Sequence, residues 1–474
     1  MEDAIVLYPS PGMGHLISMV ELGKLILKHH PSFSITILIL TPPYTTGSTA
    51  QYIATVNAAA PSLTFHHLPT IPLSAATKHV EQLAFELSRL SNPNLHQALQ
   101  TISHTSNLKA LIFDFFNNAA FEVATNLHIP AFYYYTSGAS SLTGLLYTPT
   151  LHRNTTKSFK DDNTLLHIPG IPPIHASEMP TPLLVRDTDV YNNFLQTGTQ
   201  MSKSNGIILN TFELLETKAV KAISDGLCVP DGPTASIFCI GPLISTNHVG
   251  DEHECMSWLN SQPSRSVLFL CFGSMGLFSA KQLKEIATGL ENCGHRFLWV
   301  VRAPPAENKS QSQSILTPEE PNLDELLPQG FLERTKDKGR VVKSWIPQMD
   351  VLSHDSVGGF VTHCGWNSVL EAVCAGVPMI AWPLYAEQKM NMVFMVKEMK
   401  VAVALTATNE SEDGFVSAGE LEKRVRELME SDRGKEVRER VLGIRNGAVA
   451  TMKEGGSSLV ALAKLAHLWK QTVT

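Results

Sequence analysis

Residues 4–40 read AIVLYPSPGMGHLISMVELGKLILKHHPSFSITILIL. Residues 4–8 form a short apolar run, as expected of a parallel strand buried on both faces. PSPGMG at 9–14 breaks that run, residues 15–30 have helical character, and the apolar run 33–40 is a second strand. Further strands are expected at 108–113, 129–135 and 206–210, with helix-like AAFEVATNL between the first two of these. Strands that alternate with helices specify an α/β domain built on a parallel sheet.

The pattern restarts after a turn at 240–243. VLFLCF at 267–272 is a strand, 273–276 a Gly-containing break and 280–293 an amphipathic helix; strands follow at 297–301, 341–344, 359–362, 378–382 and 401–405. Residues 303–326, polar and proline-rich, are expected to form a flexible loop, and residues 457–471 a C-terminal helix. The expected fold class is therefore α/β, with two doubly wound Rossmann-like domains. Their expected spans are 1–240 and 241–456, with 457–474 packing back toward the first.

The chain has 474 residues, more than one core usually supports, so two domains also follow from length. Its net charge of -7 argues against a nucleic-acid partner. Seven scattered cysteines with no C-x-x-C pair read as reduced thiols in a cytoplasmic protein. The opening MEDAIVLYPSPGMGHL lacks the basic segment of a signal peptide. No apolar run approaches the roughly 20 residues needed to span a bilayer, so no stable membrane insertion is expected.

Several residues that could carry chemistry fall at strand ends. Gly12-Met-Gly14 begins like a dinucleotide fingerprint, but Ile17 stands where the third glycine belongs, and the next strand ends without an acid. His15 opens the first helix, where the dipole disfavours imidazolium and leaves a neutral base. Asp114 closes the strand 108–113, on the same sheet edge, and could fix the tautomer of that histidine; the plainer alternative is a helix cap. VTHCGWNSVLE at 361–371 crowds His363, Trp366, Asn367 and Ser368 onto a helix N-terminus, a ready anion site, with Glu371 one turn in. Ser368-x-x-Glu371 also fits a capping box. Trp345 offers a flat face for a nucleobase, or a core indole. Glu387 and Gln388 suit sugar hydroxyls. Together these strand ends describe a nucleotide-sugar site. Asp187-Thr-Asp189 and Asp251-Glu-His-Glu254 could suggest metal ligands, but the first lacks a preceding apolar strand and the second lacks H-E-x-x-H spacing.

Residues 345–388, WIPQMDVLSHDSVGGFVTHCGWNSVLEAVCAGVPMIAWPLYAEQ, closely resemble the signature box of plant secondary-product UDP-sugar glycosyltransferases. PGMGH at 11–15, Asp114, TSGA at 136–139, GPL at 241–243 and FGS at 272–274 extend the resemblance along the chain. The resemblance implies a GT-B fold, with an acceptor-binding and a UDP-sugar-binding domain facing a central cleft. It also implies inversion at the anomeric carbon with no metal and no cofactor. His15 would be the general base and Asp114 its partner. Trp345 would stack on uracil, Glu371 would hold the ribose, and Gln348 would belong to the UDP site. Ser274, His363, Asn367 and Ser368 would bind the diphosphate, with Trp366 lending its backbone. Thr136, Glu387 and Gln388 would face the sugar; Gln388 points to UDP-glucose, and Glu387 stands where the family often has Asp. VLYPSPGMGHLISMVELGKLI and HECMSWLNSQPSRSVLFLCFGSMG look most like the subgroup acting on flavonoids, chalcones and isoflavones. Such an enzyme is expected to work as a monomer.

A phenol is the easier acceptor. Its pKa of about 10 against about 6.5 for histidine makes prior proton transfer uphill by about 5 kcal/mol, so proton removal should accompany attack. Phe115, Phe116 and the tyrosines 133–135 are the candidate pocket walls, or ordinary core. Alternatives left open are C-glucosylation of a phenol ring, a terpenoid or hormone acceptor, a non-catalytic UDP-sugar-binding protein and a nicotinamide oxidoreductase.

Overall fold

The computed structural model describes residues 1–42, 49–73, 80–245, 253–305, 319–407 and 414–471. The chain forms two compact units, Met1–Ser245 with Ala450–Thr474, and Thr246–Val449. Each is a parallel sheet with helical crossovers, so the chain consists of two Rossmann-like domains.

In the first unit the strands are β1 (Asp3–Tyr8), β2 (Phe33–Ile39), β3 (Leu63–His67), β4 (Asn107–Asp114), β5 (Ala131–Tyr135), β8 (Gly206–Leu209) and β9 (Ile237–Cys239), in the order β3-β2-β1-β4-β5-β8-β9. Two short strands, β6 (Leu165–Leu166) and β7 (Ile174–His175), pair separately. Central strands are buried on both faces, which is why they read as unbroken apolar runs. The register sets Leu7 of β1 between Ile37 and Ile112. Helix Met13–His29 lays Leu16, Met19, Val20 and Ile26 into the same core. Helix Ser457–Gln471 returns to this sheet and buries Leu462, Leu465 and Trp469, whose indole lies edge-on to Phe33 and Phe132, both at 6.0 Å.

The second unit has β10 (Val267–Cys271), β11 (Arg296–Val301), β12 (Gly339–Lys343), β13 (Val357–Thr362), β14 (Met379–Ala381) and β15 (Ala402–Ala404), ordered β12-β11-β10-β13-β14-β15. Strand order reverses between β10 and β13, as it does between β1 and β4 in the first unit. Crossovers leave the two strands of each pair on opposite sides, and a crevice opens beyond their carboxyl ends. His15 and Asp114 follow β1 and close β4; Ser274 and the His363 turn follow β10 and β13.

Three stretches singled out in the sequence take the following forms. Of the proposed loop 303–326, residues 306–318 lie outside the described residues, and Leu323–Leu326 forms a helical turn. Asp251 and Glu252 also lie outside them; His253 caps helix Glu254–Asn260, accepting from the Cys255 amide. Asp187-Thr-Asp189 is a helix start, where the Thr188 hydroxyl accepts from the Tyr191 amide at 3.3 Å. Edge strand β3 and the long helix Val80–Thr105 were not foreseen. Among the described residues no helix is long and apolar enough to cross a membrane.

One buried carboxylate fixes the chain just after β5. Glu216, 4% exposed, accepts from the amides of Ala139 and Ser140 at 2.8 and 2.7 Å and from the Thr211 hydroxyl at 2.6 Å. It thereby holds the start of helix Ala139–Asn154, next to Thr136. Replacing Glu216 with Ala orphans three buried donors and should destabilise the protein by about 3 kcal/mol, read as a lower urea midpoint; Glu216→Gln, which keeps one oxygen, should lose less.

Candidate active site

In the first unit the site grows from the break after β1. Gly12, at φ 123°, takes a conformation that side chains rarely adopt and starts helix Met13–His29, so His15 falls in the first turn. His15 Nδ1–H donates to Asp114 Oδ2 at 2.7 Å. Asp114 is fully buried, whereas the imidazole is 26% exposed. The second Asp114 oxygen accepts from the Phe116 amide at 3.1 Å, so this aspartate caps the turn Phe115–Asn117 and orients the histidine at once. A carboxylate at Nδ1 leaves the lone pair on Nε2, the nitrogen that can take a proton. Thr136 Oγ1 lies 3.3 Å from the same Nδ1.

Aromatic rings stand beside this pair. Phe116, half-buried, presents its ring 5.6 Å from the imidazole, and Phe115 lies at 6.3 Å. Phe85 and Phe194, from helices Val80–Thr105 and Asp189–Met201, pack edge-on to Phe116 at 5.1 and 5.8 Å. The tyrosines divide. Tyr133 and Tyr134 are fully buried core side chains and so do not serve as pocket walls. Tyr135 is buried beside Phe115, with its hydroxyl 2.6 Å from Ser141 Oγ.

In the second unit, left-handed residues stand beyond four of the strands: Ser344 after β12, Gly273 after β10, Cys364 after β13 and Ala386 after β14, at φ 65°, 71°, 66° and 52°. Three of these are not glycine, and such strain collects where function demands a fixed turn. Helix Trp366–Ala375 begins at Gly365 with no side-chain cap. Ser368 and Glu371 are therefore not a capping box. Both accept from Gln348 Nε2, at 2.8 and 2.6 Å. The uncapped amides retain the partial positive charge of the helix end.

His363 is buried between Gly273 and Gly365. A Cβ on Gly273 would come within 2.8 Å of the imidazole, and one on Gly365 would collide with Nε2. Its Nδ1 has no hydrogen-bond partner, and burial lowers its pKa to about 4, so the ring is neutral at neutral pH. Burial raises Glu371 to about 7, against the opposing pull of the Gln348 hydrogen bond. Trp345 is 57% exposed, an open indole face and not a core side chain. Trp366 is buried, so only its backbone faces the turn. Gln388 Oε1 accepts from the amides of Leu384 and Tyr385 at 2.9 and 3.0 Å, which fixes the loop that carries Glu387.

The profile of the family described as UDP-glucoronosyl and UDP-glucosyl transferase matches residues 236–437. Anthocyanidin 5,3-O-glucosyltransferase of a Rosa hybrid cultivar is 59% identical, over 99% of this chain and 99% of its own length. Isoflavone 7-O-glucosyltransferase 1 of Glycine max is 53% identical, over the whole of both chains. The solved structure of Phytolacca americana UGT2, complexed with UDP-2fluoro-glucose and pterostilbene, superposes with a TM-score of 0.88 at 37% identity, covering 99% of this chain and 100% of that one. The chain belongs to the UDP-glycosyltransferase family.

In this UDP-glycosyltransferase, His15, Asp114, Thr136, Phe115, Phe116 and Tyr135 gather beyond β1, β4 and β5 of the first unit. Ser274, Trp345, Gln348, His363, Asn367, Ser368, Glu371, Glu387 and Gln388 lie along the carboxyl edge of the second sheet, with the backbone of Trp366. Asn391 was not foreseen. Its buried Nδ2 donates to the Cys364 carbonyl at 3.0 Å and to Glu387 Oε1 at 3.2 Å, tying one strand end to the next. Phe85 and Phe194 were also missed; each is one apolar residue on an amphipathic helix, with no local mark of its neighbours.

The two perturbed groups act oppositely on stability. His363 titrates lower in the fold than in the unfolded chain, so its contribution is full above about 6.5 and lost as pH falls toward about 4. Glu371 titrates higher in the fold, so its contribution is full below about 4.5 and lost as pH rises through about 7. Between these limits they offset each other in the ligand-free protein. Glu371→Gln should unmask the histidine and make stability rise with pH from about 4 to about 6.5, by a few kcal/mol; denaturant midpoints at several pH values measure this.

Proposed function

We propose that this chain transfers glucose from UDP-glucose to a hydroxyl of a small phenolic acceptor of the flavonoid, chalcone or isoflavone type, with inversion to a β-glucoside. The observation that carries this proposal is His15 Nδ1 held at 2.7 Å by a fully buried Asp114 beside the half-buried ring of Phe116. Family membership and the acceptors in the names of the rose and soybean relatives support it.

The acceptor hydroxyl gives its proton to His15 Nε2 as its oxygen attacks the anomeric carbon opposite the UDP. The bond from that carbon to the β-phosphate oxygen breaks, and the diphosphate keeps the electron pair. Asp114 stabilises the imidazolium that forms. The uncapped start of helix Trp366–Ala375, His363, Asn367, Ser368 and Ser274 bind the diphosphate. Trp345 stacks on uracil, and Glu371, set by Gln348, takes the ribose hydroxyls. Thr136, Glu387 and Gln388 face the glucose. Phe115, Phe116 and Tyr135 face the acceptor. Protein groups thus cover both proton transfer and leaving-group charge, and the enzyme works without a metal. Seven unpaired cysteines support a cytoplasmic enzyme, which we take to be monomeric.

Incubation with UDP-glucose and a panel of phenols, flavonoids, chalcones and terpenoid alcohols, without added metal, should release UDP and give a product heavier by one hexose. His15→Ala should lower kcat by about a hundredfold or more while UDP still binds. Asp114→Asn should fall in the same direction. Acid-labile product marks the O-glycoside; donor binding without any product would reduce the chain to a binding protein.

A further inference from the structure

Along the carboxyl edge of the second sheet, the strand ends present Trp345, Arg302, Ser274, His363 and Glu387 in turn, after β12, β11, β10, β13 and β14. Four of these have a place in the donor site proposed above. Arg302 has none.

Arg302 is half-buried and, with Phe272, Gly273, Gly276 and Trp299, lines a water-sized cavity of about 10 Å³. Among the described residues it makes no hydrogen bond and no ion pair. Three other guanidiniums are held: Arg424 by Glu420 and Glu427, Arg334 by Glu291, Arg438 by the Gly358 carbonyl. The ionisable groups that Arg302 senses are Cys271 and Tyr385, and burial keeps both neutral by pushing their pKa values up. Gly273, which lines the same cavity, packs directly against the His363 imidazole, so Arg302 lies beside the anion turn. His363 itself brings no charge at neutral pH. Lys343, which ends β12, is tied to Glu320 at 3.0 Å.

A half-buried cation with no counter-charge among the described residues lowers the stability of the ligand-free fold. It is accounted for if an anion arrives to pair with it. We propose that Arg302 is a further donor-binding residue, whose guanidinium takes the diphosphate of the nucleotide as counter-ion and shares the charge that collects on the leaving group. A guanidinium suits this task because its forked donors meet two phosphate oxygens at once. The proposal rests on the donor site above.

Calorimetric titration of the wild type, Arg302→Met and Arg302→Lys with UDP and with uridine tests it. Arg302→Met should lose about ten- to hundredfold in UDP affinity, with uridine affinity unchanged within about twofold. Arg302→Lys should recover part of the loss. The melting temperature of ligand-free Arg302→Met should be no lower than that of the wild type, because no partner among the described residues is removed. Equal weakening of UDP and uridine, an unchanged UDP affinity, or a lower melting temperature would each overturn the assignment and make Arg302 structural. A wild-type protein that binds no UDP would instead overturn the donor site itself.

Discussion

A parallel strand can be followed only by a crossover, and that crossover leaves the sheet on one face or the other. Where two neighbouring strands send their crossovers to opposite faces, nothing covers the carboxyl ends between them. Both sheets have one such reversal, between β1 and β4 and between β10 and β13. The polar groups of this protein gather there because these are places where backbone donors of helix starts remain open without being buried under the next element. The His15–Asp114 pair and the His363 turn are two uses of one geometric rule.

The two sites exploit the rule differently. In the first unit the polar groups satisfy one another: Asp114 serves a backbone amide and an imidazole, and the aromatic residues beside it exclude water. What this leaves for a ligand is the basic nitrogen on the far side of the ring. In the second unit the groups are only partly satisfied. Among the described residues the helix start has no side-chain cap, His363 Nδ1 lacks a partner, and Arg302 has no counter-charge. On the proposed reading a nucleotide diphosphate would supply what these groups lack, and the stability forgone without ligand would become affinity when it binds. The left-handed residues Ser344, Cys364 and Ala386 belong to the same arrangement, since they aim the strand ends that carry the donors.

The burial of titratable groups follows from the packing. His363 is neutral because two glycines let the backbone close around it, and Glu371 binds a proton readily because helix Trp366–Ala375 lies against the sheet. Neither residue carries these properties in its type. Burial raises Glu216 as well, against the pull of the three donors that surround its carboxylate in the core.

Much of this was legible in the sequence. Unbroken apolar runs gave the central strands, because a strand buried on both faces admits no polar residue. The helices Ala280–Cys293 and Ser457–Gln471 were read to their ends from amphipathic spacing. Breaks after strands marked both His15 and the His363 turn, and the family resemblance of residues 345–388 supplied roles that composition never could. Edge strand β3 escaped because one face of it meets solvent and LTFHH has no apolar run. Helix Val80–Thr105 escaped because Pro93 interrupts its pattern. Local spacing was also misleading. Ser368 and Glu371 fit a capping box, yet Gln348, twenty residues upstream of Ser368, claims both. Three consecutive tyrosines in a doubly buried strand cannot be sorted into core and wall without knowing which helices cover each face. The sequence alone therefore determined the fold class, the family and the residues at the strand ends, since each is written in local pattern. Only tertiary structure decided which residues meet: Asp114 with His15 across 99 positions, Asn391 with Cys364, Arg302 with no hydrogen-bond or ion-pair partner among the described residues. Contact between residues so far apart depends on strand order and crossover side, and no local pattern encodes either.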